Sequence, residues 1–402
     1  MNPTGTPMQD IASMTGPLDG LKVLDVSRFI AGPMCAMQLG DLGADVVKVE
    51  RKAGEETRAN LPQLGDQSLY FLTFNRNKRS IALDFRNPAD QETLRRLILR
   101  ADVLIENFRA GTMEKMGCGW HRLHALNPRL IMVRISGFGQ DGPLAERACF
   151  DAIAQAMGGL MTITGQADGP PVLAGTFIVD YATALYGAIA TLAALNKRQE
   201  TGKGQLIEAT LLESAVSMLM TAIPEQAQLG TSMSRAGNRD RYLSPVNSFA
   251  TSDGGWVYIS AGSDALFPRL AAIMERPDLL EDPRFSTMYQ RLANADAIEG
   301  VVGAWVKERT AEAVVALMDR AGVPCAKVAT MAEVVANPQL RARGQLVDVQ
   351  HPSAGRFTTH GVSFRLSDTP ASIRRPPPRL DEHREEILCE WLGEAAPQPA
   401  GA

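Results

Sequence analysis

Short apolar runs alternate with helical patterns over the first half of the chain. LKVLDV (21–26) is a short, mainly apolar run, which predicts a buried strand. AGPMCAMQLGDLG (31–43) follows, with Pro33 in its first turn and Gly43 near its end, and predicts a helix. ADVVKVE (44–50) predicts a second strand. Strand, helix and strand in about 30 residues make a βαβ unit, so the two strands should run parallel. RSIALDF (79–85), ADVLIENF (101–108), LIMVRISGFG (130–139) and QLIEATLL (205–212) predict further strands, and ADQETLRRLILRA (89–101) an amphipathic helix. The alternation predicts a doubly wound, Rossmann-like α/β layer.

From Phe150 the pattern changes. FDAIAQAMGGLMTITG (150–165) predicts a helix and a turn, and Asp180 opens a long helix ending near Lys197. LESAVSMLMTAI (212–223) predicts another helix, and SRAGNRDRYLSP (234–245) a polar loop. NSFATSDGGWVYISA (247–261) predicts a hairpin around Asp-Gly-Gly, followed by helices at 265–274, 294–308 and 310–322. The segment 330–364 predicts a helix and strands, RRPPPRLDEH (374–383) an extended link, and EEILCEWLG (385–393) a last short helix before a fraying AAPQPAGA. The expected organisation is a large α/β domain over 1–225, a small α+β domain over 240–330, and a return to the large domain over 331–402.

Composition narrows the partners. The 402 residues are 45% hydrophobic and 21% charged with a net charge of −4, so nothing in the bulk charge favours nucleic acid or an anionic membrane. The five cysteines lie far apart with no CxxC pair, which predicts reduced thiols, no zinc and a cytoplasmic setting. The amino-terminal MNPTGTPMQDIASMTGP lacks the basic and apolar regions of a secretory signal. The apolar helix around 182–195 is short for a membrane span and reads as a core helix. SRFIAGP contains no GxGxxG, so the expected fold carries no dinucleotide fingerprint.

One residue stands out. Between Asp168 and Lys197 the only charged side chain is Asp180. On a helix its face is Thr183, Ala184, Gly187, Ala188 and Thr191, small residues that admit another backbone or a ligand. Asp180 reads either as a helix cap or as a partly desolvated nucleophile, raised by burial and lowered again by helix amides. Gly158, Gly159 and the following TGQADGPP supply either a turn or oxyanion donors. His121, His124, His351, His360 and His383 show no metal-ligand spacing, and no GxSxG elbow is present. RNKRS (76–80) reads as a solvated turn or, joined by Arg51 and Lys52, as a phosphate site.

LDGLKVLDVSRFIAGPMCAMQLGDLGADVVKVER, YFLTFNRNKRSIALD, ADVLIENFRAGTMEKMG, LNPRLIMVRISGFGQDGP, FIVDYATALYG and NKRQETGKGQ together resemble the class III CoA-transferases, a family that includes formyl-CoA transferase, carnitine CoA-transferase and α-methylacyl-CoA racemase. The resemblance implies a large α/β domain plus a small domain, with two chains interlocked as rings in a homodimer. It places the family's nucleophilic aspartate at Asp180, which would pass CoA through an aspartyl-CoA thioester, with acyl-CoA and a carboxylic acid as substrates and no permanently bound cofactor or metal. For CoA it implies Ile30 and Ala31 in the first turn, Arg51 after the second strand, Leu83 to Arg86 after the next, Asn107 and Phe108 along the pantetheine path, and Phe150 near the thioester. Lys115 stands where formyl-CoA transferase has arginine, and Ala148 where it has lysine, which removes one phosphate contact. The racemase branch carries histidine before an acid where this chain has Phe150-Asp151, so transfer is favoured and racemisation at the α-carbon is the alternative. RAGNRDRYLSP lacks the glycine run of formyl-CoA transferase, and the overall pattern is closer to the branch that moves CoA from succinyl-CoA to a dicarboxylate. Arg235, Arg239 and Arg241 read either as partners for a distal carboxylate or as a solvated loop.

Overall fold

The computed structural model describes residues 16–394; the readings made on the first fifteen residues and on AAPQPAGA lie outside them. The chain divides into two compact units. The larger takes the described residues up to Leu160, Leu173–Met220 and those from Pro338 onward; the smaller takes Met161–Val172 and Thr221–Asn337.

Six strands form the larger unit's main sheet: β1 (Lys22–Asp25), β2 (Asp45–Glu50), β3 (Lys78–Ala82), β4 (Val103–Glu106), β5 (Ile131–Ser136) and β6 (Leu206–Thr210). Their order is β3-β2-β1-β4-β5-β6, and every pair is parallel. Both faces are covered, which explains why the strands read as continuous apolar runs rather than alternating ones. The order reverses between β1 and β4. Connections leave these two strands in opposite directions, so a crevice opens beyond their carboxyl ends.

Among the helices of this unit are α1 (Ala31–Asp41), α2 (Leu69–Phe74), α3 (Pro88–Arg100), α4 (Asp151–Met157), α5 (Ile178–Thr201) and α6 (Leu211–Ser217). α1 and α5 share one face of the sheet, where Cys35, Met37, Ala184 and Ala188 pack on Val23, Ile105 and Val133. α3 starts on Pro88 with the Asn87 side chain accepting from Ala89 and Asp90 N–H, a combination that fixes its first turn. It covers the opposite face, setting Leu94, Leu97 and Ile98 on Leu24, Leu104 and Met132.

The long helix is longer than its sequence suggests. α5 begins two residues before Asp180 and runs to Thr201, where Gly202 turns it off at φ +68°. By length and composition alone it could cross a membrane, with mean hydropathy 1.5 over an 18-residue window. Here one of its faces packs on α1 and β5. Its small face answers the question of what approaches it. Thr183, Ala184, Gly187, Ala188 and Thr191 are buried, and a Cβ on Gly187 would sit 3.1 Å from Cys35 Sγ of α1. Side chains of α1 and β5, namely Cys35, Ile135 and Val133, fill that space. Thr183 and Thr191 return their hydroxyls to Val179 O (2.8 Å) and Gly187 O (2.7 Å).

The smaller unit holds a three-stranded antiparallel sheet of β7 (Val246–Ala250), β8 (Trp256–Ser260) and β9 (Cys325–Lys327), in the order β9-β8-β7. The hairpin β7-β8 turns through Gly254 at φ +78°. Helices α7 (Phe267–Ile273), α8 (Ala295–Lys307) and α9 (Ala311–Arg320) pack Leu270, Val302 and Val314 on Phe249 and Val257. The final helix, α10 (Arg384–Leu392), belongs to the larger unit and places Ile387 and Trp391 in the core beside α3.

Candidate active site

The crevice holds a cavity of about 280 Å³ in the larger unit. The segments after β1, β4 and β5 line it, together with the stretch before α4 and Asp180 of α5. Of the residues singled out from the sequence, it brings together Ile30, Ala31, Asn107, Phe108, Ala148, Phe150 and Asp180. Arg51 lies outside it. With Phe85, Phe108 and Arg28, Arg51 lines a second cavity of about 130 Å³ beyond β1 and β2, and its side chain meets Gly54 O (2.7 Å) and Glu56 (3.3 Å). Leu83 is fully buried beside Glu50, while Arg86 and Lys115 are exposed; none of the three lines either cavity.

The turn after β1 is locked from several sides. Asp25, wholly buried, accepts from Ser27 N (3.0 Å) and the Ser27 hydroxyl. Lys48 donates to Ser27 O (3.1 Å), and Lys78 to Pro33 O (2.8 Å), so a buried lysine holds each end of the turn. Asn107 grips its middle, accepting from Arg28 N (2.8 Å) and donating to Arg28 O (2.6 Å). Gly32 has no room for a side chain, since a Cβ would meet Ser27 Cβ at 2.3 Å. Phe29 is held at φ +68°, a conformation that L residues adopt only when their surroundings dictate it. Its ring meets the exposed Phe150 edge-on at 5.7 Å.

RNKRS is therefore neither a solvated turn nor a phosphate site. Arg76 pairs with Asp41 (2.7 Å), Lys78 with Asp25 (2.8 Å), and Arg79 with Asp45 (2.6 Å), all three cations being buried. Burial and the neighbouring Lys48 bring Lys78 down to about 8, against the pull of Asp25. Burial alone would raise Asp25, but the two lysines hold it below the usual carboxylate range.

Asp180 is not the helix cap. It is the third residue of α5, and the cap is Asp151 of α4: one Asp151 oxygen accepts from both Val179 N (2.8 Å) and Asp180 N (3.0 Å). The amides expected to offset the charge of Asp180 are engaged by another carboxylate. Burial, and then the charge of Asp151, push Asp180 up to about 7. Its carboxylate has no hydrogen-bond donor among the described residues. Cys149 is a cavity residue that the sequence did not flag. Burial and the nearby Asp180 raise its thiol to about 11, which leaves it unreactive. Arg28, Arg109 and Arg147 also line the cavity. Their clustering depends on three separate loops, so no local signal marks it.

Gly158 and Gly159 lie off the cavity, and the Gly158 N–H is engaged by Ala154 O (2.7 Å). In the smaller unit the three arginines already have partners. Arg235 donates to Gly169 O (2.8 Å), Arg239 pairs with Asp296 (2.6 Å) and Glu299 (2.8 Å), and Arg241 donates to Ile163 O (3.4 Å) and Ser234 O.

A parallel sheet with a carboxylate at its switch point is found in many enzymes; the family model described as CoA-transferase family III matches residues 18–384. The chain belongs to that family. It is 38% identical over 379 residues to a succinyl-CoA–D-citramalate CoA-transferase of Chloroflexus aurantiacus, covering 94% of each chain. It is 35% identical to the human succinyl-CoA:glutarate CoA-transferase, covering 97% of this chain and 89% of that one. A CAIB/BAIF family protein of Brucella suis has a similar structure, with TM-score 0.85, 37% identity, and coverage of 94% of this chain and all of that one. This CoA-transferase family III member has no histidine on its cavity among the described residues. The racemase alternative is not favoured.

Proposed function

We propose that the protein moves CoA from succinyl-CoA to a dicarboxylic acid through an aspartyl-CoA thioester on Asp180. The observation that carries the reading is a half-buried carboxylate on the cavity wall that, among the described residues, has no hydrogen-bond donor and no paired cation. Such a group is a weakly solvated nucleophile. It attacks the donor thioester carbonyl and expels CoA thiolate, leaving a mixed anhydride. The thiolate attacks the aspartyl carbonyl and releases the donor acid. The acceptor carboxylate then attacks the aspartyl thioester, and the returning thiolate takes the acceptor acyl group. The locked turn of Arg28 to Ala31 fixes one wall for the reacting thioester. The cavity with Arg51, Phe85 and Phe108 suits the nucleotide end of CoA. Succinyl-CoA and a dicarboxylate are the substrates in the names of several relatives, and Arg28, Arg109 and Arg147 offer cations to phosphates or a distal carboxylate.

An interlocked homodimer belongs to the same reading. α5 exposes Leu185, Ile189 and Leu192 along one face, which a second copy of the chain would cover.

Two outcomes are expected. Incubation with succinyl-CoA should add CoA to Asp180, found by peptide mass and converted to a hydroxamate by hydroxylamine; an unmodified Asp180 peptide in turning-over enzyme would sink the reading. The donor kcat/KM should also climb with pH and level off above about 7, because only the ionised carboxylate attacks. A profile already flat from about pH 5 would show an ordinary aspartate.

A further inference from the structure

Two carboxylates face the start of α5, and only one of them takes the helix amides. Asp151 is 2% exposed, accepts Val179 N and Asp180 N on one oxygen, and accepts Gln155 Nε2 (2.5 Å) on the other. Gln155 is held in turn by Ala174 N (3.0 Å). Asp151 is thus anchored by three N–H groups, at the point where a helix terminus best stabilises negative charge. Asp180, one turn further in, is left with burial and a neighbouring negative charge. The other titratable groups that interact with it are Tyr70 of α2, Cys149 before α4 and Tyr181 of α5, and its presence raises all three. No cation among the described residues offsets it.

We propose that Asp151 is a positioning residue whose negative charge, anchored by the α5 amides beside Asp180, makes the neutral aspartyl-CoA thioester the favoured resting form of the site. The inference rests on the reading of Asp180 as the nucleophile. In the exchange, the C–S bond of the donor breaks and a C–S bond to the Asp180 carbonyl carbon forms. One oxygen of Asp180 leaves with the donor acid, so a half-buried negative charge becomes a solvated one. Whatever disfavours charge on Asp180 therefore favours the thioester by the same factor. That cost is the one that holds the carboxyl at about 7 rather than near 4. Each unit of displacement is a tenfold change in the enzyme-thioester equilibrium. Two quantities measured independently, the pH midpoint and the thioester fraction, must then move together.

The test is Asp151→Asn in the full-length protein with succinyl-CoA and succinate as probes. Asparagine keeps an oxygen for the two amides and turns its NH2 towards Gln155 Nε2, so the cap is retained while the charge and the Gln155 bond are lost. The midpoint of the donor kcat/KM profile should shift acidic, and the ratio of thioester to free enzyme at about pH 8 should fall tenfold per unit of that shift. An unmoved midpoint, or a midpoint that moves while the thioester ratio does not, overturns the proposal. The wild-type protein gives a second measurement that needs no variant: its thioester fraction should rise with pH up to about 7, and a plateau reached by about pH 5 also overturns it. If wild-type Asp180 carries no CoA at all, the functional reading fails instead.

Discussion

Asp180→Asn is expected to lower CoA transfer by at least about 10³-fold and, at pH 8, to raise the melting temperature. The two effects have one cause. Transfer fails because an amide cannot attack the thioester or carry CoA. Stability rises because the native state otherwise has to hold a half-buried charge facing Asp151. An unfolded aspartate ionises near 4, whereas the folded one ionises at about 7. Below the lower value both states are protonated and the wild type bears no penalty. Between the two values the unfolded chain releases its proton first, so wild-type stability falls as pH rises, and above about 7 the penalty is complete. The substitution should therefore stabilise by up to ~4 kcal/mol at pH 8, with most of the gain gone by pH 5. Thermal unfolding of both proteins at the two pH values measures it. A variant that is inactive yet no more stable at pH 8 would mean that the charge is compensated, and one that transfers CoA would remove Asp180 from the chemistry.

The parallel sheet was legible because burial on both faces leaves a local mark: LKVLDV and LIMVRISGFG carry apolar residues at successive positions, not only at alternate ones. Asp180 was legible for the opposite reason, as the one charge in a long apolar stretch. Its cap was not. The bonds from Asp151 join residues 28 and 29 positions apart, and nothing near Asp180 in the chain announces them. RNKRS misled in the same way. A lysine in a strand looks solvated until its partner is known, and the partner of Lys78 is Asp25, 53 positions away. Arg76 finds Asp41 and Arg79 finds Asp45 at similar remove. Local hydropathy registers the charge but not its neutralisation, so buried ion pairs are systematically read as surface.

That hidden network leads to the second large effect. Lys78→Met is expected to lower the free energy of unfolding by about 3–5 kcal/mol. The ammonium is wholly buried and donates to Asp25, Pro33 O and Asn75, each at 2.8 Å. Methionine replaces the stem but none of these bonds. Asp25 is left in the core with Lys48 at 3.9 Å as its remaining cation, and the Pro33 carbonyl and the Asn75 amide oxygen lose a donor. Lys327→Met in the smaller unit is the contrast: its partners Glu312 and Glu333 are largely exposed, water replaces the lost bonds, and stability should change little. Urea unfolding of the two variants separates buried from exposed charge directly. The functional consequence follows from what Lys78 holds. With Pro33 released, the turn of Arg28 to Ala31 loses one of its two lysine anchors, so donor KM should rise in the folded fraction before kcat falls. A Lys78→Met protein as stable as the wild type would mean that the apolar packing of α1 alone fixes the turn, and the buried charges beneath it would then be passengers.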